Sequence, residues 1–226
     1  ATIYAQSFWA DMLHDEQRFV EAAERLDQLV ASLREQSNQR QNMAELGGLL
    51  PGLLARAHYF RSCDAAASGD TAQQREQLNE ALKQHGRDVE SLIALDRLLD
   101  ADDEARPQLA ERIEEAAVYY DRRIALNESN GAPEATDLNQ AAWLLSNTTQ
   151  PREQLEKALD YSRQSLELAP HTAGYLDTLA RCHYALGEYP QAVAFQRQAV
   201  ALDPHVRQMQ VQLELFEQAL ADSQAP

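Results

Sequence analysis

Apolar positions recur along this chain at spacings of three and four, the period of an α-helix, and breaks that are polar or rich in Gly and Pro divide them into pairs. Trp9, Ala10 and Leu13, then Phe19, Ala22, Leu26 and Leu29, predict a first helix pair over residues 3–37, with one long helix as the competing reading. Residues 38–52 read as an inserted connector or short helix. Leu53 opens a second pair, which spans about 49–86 and is broken at Gly69-Asp70; Asp70 or Thr71 is placed to cap its second helix. Leu92 and Leu95, then Ile113, Ala116, Ala117, Tyr120 and Ile124, mark a third pair over 88–127, with a long connection and Asp96 where a small residue is expected. Two further pairs follow at 136–170 and 173–204. A single amphipathic helix at 205–221 then carries Val211, Leu213, Leu215 and Phe216, as expected of a cap on the last apolar face.

Gly and Pro number only eight each in 226 residues, so nothing in the composition opposes an all-α chain. A repeat array grows by stacking, and 1–226 is therefore read as one unit. The net charge of −16 argues against nucleic-acid binding and against an anionic membrane surface, and favours a basic or neutral partner. Acidic residues concentrate over 88–137, including Asp100, Asp102, Asp103 and Glu104. They read either as a solvated helix face or as a docking patch for a basic partner. The two cysteines, Cys63 and Cys182, fall in different repeats and read as small core residues with no bridge between them. The longest apolar run, 49–55, is far too short to span a membrane, and no leader pattern opens the sequence, which leaves the compartment open.

The segment GYLDTLARCHYALGEYPQAVAFQRQAVALDP, residues 174–204, carries Leu176, Leu179 and Ala180 on a first helix and Gly187 and Tyr189 at the turn. Its second helix carries Ala192 and Ala199, closing with Leu202, Asp203 and Pro204. This resembles the tetratricopeptide (TPR) repeat, with His183 and Gln196 standing where aromatic residues are usual. A second copy has Leu138, Ala141, Ala142 and Leu145, then Ala158, Ser165, Leu166, Leu168 and Pro170, with a turn lengthened by SNTTQPRE. The combination of LNQAAWLL, SLELAP, GYLDTLAR and QRQAVALDP also resembles bacterial TPR proteins without an assigned activity. The resemblance implies a right-handed α-α superhelix of antiparallel helix pairs, a TPR-like solenoid with a C-terminal capping helix.

No nucleophile with its base, carboxylate pair, phosphate loop or cluster of metal ligands is evident, so neither a cofactor nor a metal is expected. Asp11 and His14 have the spacing of a di-metal motif without its second copy. The resemblance places the first helices of successive repeats along a concave groove, and its candidate partner-binding residues here are Asn139, Trp143, Asn147, Asp177, Arg181 and Tyr184. Trp143 is either an exposed hot spot or a packing residue between helices. Arg181 meets a partner carboxylate or its own neighbour Asp177. A lysine-based carboxylate clamp, known in some relatives, is disfavoured, since Lys83 and Lys157 are the only lysines and neither lies on a first helix. The expected function is a scaffold that binds a peptide or helix of a protein partner. The alternative is a self-assembling module that forms a homo-oligomer through its terminal repeat.

Overall fold

The computed structural model describes residues 3–40 and 48–224. Among them the elements are helices, numbered here α1 (Ile3–Asp15), α2 (Phe19–Arg40), α3 (Leu49–Ser68), α4 (Thr71–Gln84), α5 (Val89–Leu98) and α6 (Arg106–Ser129), followed by α7 (Ala135–Asn147), α8 (Arg152–Leu168), α9 (Ala173–Ala185), α10 (Tyr189–Leu202) and α11 (Arg207–Gln224). Residues 41–47, most of the expected connector, lie outside the described residues.

Three of the turns share one construction. Gln17, Gly69 and Gly187 have φ of 61°, 77° and 79°, the left-handed conformation. In each case the following residue donates its N–H to the carbonyl five residues back: Arg18 to Leu13, Asp70 to Ala65 and Glu188 to His183, all at 2.9 Å. This is the helix ending that satisfies two otherwise orphaned carbonyls and reverses the chain within a few residues. Seven residues before each left-handed residue stands a small, fully buried side chain, Ala10, Ser62 or Ala180, which lets the paired helices approach closely. Asp70 is the residue that caps α4, accepting the N–H of Gln73 at 2.9 Å, and Asp88 caps α5 through Ser91 at 3.0 Å.

The two longer connections are closed by side chains. Arg106 reaches back from α6 to the Asp96 carboxylate at 2.6 Å and to the Asp96 and Leu99 carbonyls, so a buried acid replaces the expected small residue because a cation meets it there. At the end of α7, Asn147 donates to the Trp143 carbonyl at 3.0 Å and Thr148 to that of Leu144 at 2.8 Å.

By packing, the chain divides into two compact units, Ala1–Arg112 and Ile113–Pro226, and the division falls inside α6. The core of the first unit runs from Ala10, Leu13, Ala22 and Leu26 to Leu53, Ala57 and Phe60. In the second unit, Ile124, Leu138 and Ala141 form one cluster, and Ala180, Ala192, Val193 and Phe216 another. Phe216 is fully buried, and α11 thereby covers α9 and α10. Within 88–137, Asp96 pairs with Arg106, Asp103 with Arg75, Asp121 with Lys157 and Asp137 with Arg123, so part of the acidic excess serves to tie helices together.

A left-handed non-glycine residue costs about 1–2 kcal/mol. Gln17→Gly is therefore expected to raise, and Gly187→Ala to lower, the midpoint of urea unfolding followed by circular dichroism, each by about 1 kcal/mol in stability. Among the described residues, chain neighbours aside, no atom lies within 4 Å of where a Cβ at Gly187 would stand, so the cost there is one of backbone conformation.

Candidate functional site

In the second unit the first helices α7 and α9 lie side by side, and Arg181 of α9 donates through Nε to the Ser146 carbonyl of α7 at 3.2 Å. The six sequence candidates do not share one environment. Trp143, Asn147 and Asp177 are buried, with 8%, 4% and 7% of their surface exposed. The Asn147 amide closes its own helix end by donating to the Trp143 carbonyl. Asn139, Arg181 and Tyr184 are half-buried, and the Asn139 Oδ1 is held out of water with no hydrogen-bond partner among the described residues.

Asp177 explains one of the two departures from the repeat pattern, Gln196. Its carboxylate accepts from Gln196 Nε2 at 2.6 Å and from Gln212 Nε2 at 3.1 Å, while Gln196 also donates to the Met209 carbonyl at 3.0 Å. A fully buried glutamine stands in the aromatic position because it joins α9, α10 and α11 through one acid. Burial raises the Asp177 pKa, and the two glutamine hydrogen bonds and the charge of Arg181 oppose that rise without cancelling it. His183, the other departure, stacks on Phe195 with ring centroids 5.4 Å apart and planes within 10°, and its Nδ1 lies 2.6 Å from Glu188. An imidazole thus keeps the aromatic packing and adds a bond to the turn.

Above this support the Arg181 guanidinium sits 5.0 Å from the Tyr184 ring centroid. Tyr184 in turn stacks on Phe216, with centroids 4.6 Å apart. The result is a cation and an aromatic ring held in one orientation on a helix face, with α11 fixing the ring from behind.

The first unit carries a comparable face that sequence reasoning missed. Asp11 and Cys63 each stand six residues before the left-handed residue of their repeat, as Arg181 does in its own. Asp11 forms an ion pair with Arg56 at 2.8 Å. His14 stacks on Phe60 at 4.8 Å with its Nε2 3.7 Å from Cys63 Sγ, and burial lowers its pKa. Beside them a depression is lined by Tyr59, Cys63, Ala66, Gln74, Ala94 and Arg97, from α3, α4 and α5. The signal was Gly69: counting back from it, rather than from the apolar residues of α3, sets the frame of this repeat.

Both cysteines are free thiols. Burial pushes Cys63 up to about 11 and Cys182 up to about 12, so neither carries nucleophilic thiolate at neutral pH. Among the described residues no group of three or more His, Cys, Asp and Glu side chains is placed to hold a metal ion. None of the described helices is long and apolar enough to cross a membrane.

No protein-family model and no curated protein matches the sequence. Among solved structures, the chain is similar to TTC0263, a thermophilic TPR protein of Thermus thermophilus, at 16% identity and a TM-score of 0.52, over 97% of this chain and all of that one. It is also similar to the TPR domain of P58(IPK), at 14% identity and a TM-score of 0.43, over 99% and 80% of the two chains. A third is MamA from Desulfovibrio magneticus RS-1, at 16% identity and a TM-score of 0.36, over 74% and 92%. The fold is a TPR-like all-α solenoid, and the first of these carries that statement.

An acid whose pKa is raised on folding binds protons more readily in the folded chain, so its protonation stabilises the fold as pH falls. The wild type is therefore expected to gain stability relative to Asp177→Asn between pH 7 and pH 4, measured as the difference in urea midpoints. Gln196→Leu leaves the buried acid short of a partner and is expected to cost about 2 kcal/mol at pH 7, less as pH falls.

Proposed function

We propose, taking the TPR-like fold as premise, that this chain is a protein-interaction scaffold holding an extended peptide or a helix of a partner against the first helices of its repeats. The observation that carries the reading is the Arg181–Tyr184 pair, half-exposed and fixed from behind by Phe216. Arginine and tyrosine are the residue types that dominate binding hot spots, and a pair already ordered loses little entropy when a partner arrives. Asn139 lies on α7, the neighbouring first helix, and extends the face. In the first unit, the depression beside Cys63 is lined by apolar residues together with Gln74 and Arg97, a mixed lining that suits a side chain flanked by peptide groups.

The overall charge of −16 favours a basic or neutral partner for long-range approach, while Arg97 and Arg181 give local points for a carboxylate or carbonyl. Lys83 and Lys157 are tied to Glu80 and Asp121, which removes them from a carboxylate clamp. The second reading, self-assembly through the terminal repeat, draws on the exposed apolar residues of α1 and uses a different face.

The test is binding of an immobilised peptide array by the wild type, followed by affinity measurement for the best peptides. Arg181→Glu or Arg97→Glu is expected to weaken at least one of them by tenfold or more, about 1.4 kcal/mol. Binding that neither change alters would overturn the groove reading.

A further inference from the structure

The depression beside Cys63 is lined unlike the rest of the chain. Its apolar lining is Tyr59, Ala66, Ala94 and Leu98, and its polar groups come from Ser62, Cys63, Gln74 and Arg97. Acids outnumber bases 36 to 20 in the sequence, yet no carboxylate stands among these lining residues and Arg97 is the one that carries a formal charge. Glu90 and Asp88, at the start of α5, act on Tyr59 through space without lining the hollow, and Asp88 is engaged in capping Ser91.

The remaining groups add no negative charge. Burial holds the Tyr59 hydroxyl well above its ordinary pKa and pushes the Cys63 thiol up to about 11, so both are neutral at physiological pH. The Ser62 hydroxyl is already donated to the Tyr59 carbonyl at 2.6 Å. An apolar wall, an amide and a guanidinium are what the hollow offers a ligand. A guanidinium has five N–H donors in a planar fork, so Arg97 can serve a carboxylate beside the contacts it makes within the fold. The volume, about 380 Å³, lies in the range of small-molecule sites. A cavity of about 150 Å³ already accepts benzene, so a ring or a branched chain bearing a carboxylate has room here.

We infer that the hollow beside Cys63 is a binding site for a small free carboxylic acid with an apolar body, its carboxylate on Arg97 and Gln74 and its body against Tyr59, Ala66, Ala94 and Leu98. The ligand requires no partner protein, so the site is independent of the contact at Arg181. It fills the space that a side chain of a partner peptide would take in the first unit. Acid and peptide therefore exclude one another there, and that exclusion alone rests on the groove reading.

Cys63 reports occupancy directly. It is half-buried in the hollow, whereas Cys182 is fully buried and serves as the internal control. The experiment follows alkylation of the full chain by N-ethylmaleimide at mildly alkaline pH, read by mass spectrometry of each cysteine peptide, with 3-phenylpropionate as the probe. The expected result is a saturable slowing of Cys63 alkylation by the acid. The neutral 3-phenylpropionamide, which keeps the ring, is expected to protect at least about tenfold more weakly. Arg97→Leu, at an exposed position and with the helical spectrum as its folding check, is expected to weaken protection by the acid to the same degree. Arg181→Glu leaves it unchanged. No protection by the acid, equal protection by acid and amide, or protection indifferent to Arg97→Leu overturns the proposal. So does a peptide ending in phenylalanine that protects Cys63 where the free acid does not, since the carboxylate then belongs to a protein. The acid and amide comparison needs no substitution, and peptide-array binding does not enter it, so the two readings fail separately.

Discussion

Everything in this molecule follows from the close approach of two antiparallel helices across a fully buried small residue. At Ala10, Ser62 and Ala180 there is no side chain long enough to hold the partner helix off, and the chain must reverse at once to bring that helix back. The reversal requires a residue with positive φ, and Gln17, Gly69 and Gly187 provide it. Once the turn and the small residue are fixed, helical geometry decides which positions of the first helix face its own partner, which face the next repeat and which remain open. In that frame Trp143 is buried, whereas Arg181, at the equivalent place one repeat later, is half-exposed.

The last repeats were legible in sequence because their apolar residues, small residues and turn glycine all agree on one frame. In the first unit these signals conflict. Ser62 holds the small buried position although it is polar, and Arg61 holds an apolar position while forming an ion pair with Asp27 of α2. Gln17 holds the left-handed turn although it has a side chain. Hydrophobic periodicity therefore sets no frame for α3, and the faces of that unit emerge only once the backbone conformation at residues 17 and 69 is known. The candidate site was legible to the same extent. Of the expected residues, Arg181 and Tyr184 are half-exposed, whereas Asp177 is buried. A lone acid in a sequence gives no sign that two glutamines, 19 and 35 residues further on, will close over it.

That buried acid is what links fold to proposed function. Gln196 replaces an aromatic in order to reach Asp177, and Gln212 brings the capping helix to the same point. The same capping helix places Phe216 behind Tyr184, so the polar network and the aromatic stack hold one surface from two sides. A scaffold gains from this rigidity, because the affinity of a preformed surface is not reduced by the entropy of ordering it. The acids of 88–137 play a different part. Those that meet Arg75, Arg106, Arg123 and Lys157 fasten neighbouring helices, and the exposed ones, Asp100, Asp102 and Glu104 among them, add negative charge to the surface.

The central claim is that the first-helix face around Arg181 is where a partner protein sits. The most direct measurement is photo-cross-linking in cells of origin, with a photoreactive residue at position 185, one helical turn from Arg181, and the same residue at the exposed position 198 of α10 as control. The account predicts a discrete cross-linked protein from position 185 that is absent from position 198. A cross-link from position 198 alone, or the same products from both, would contradict it.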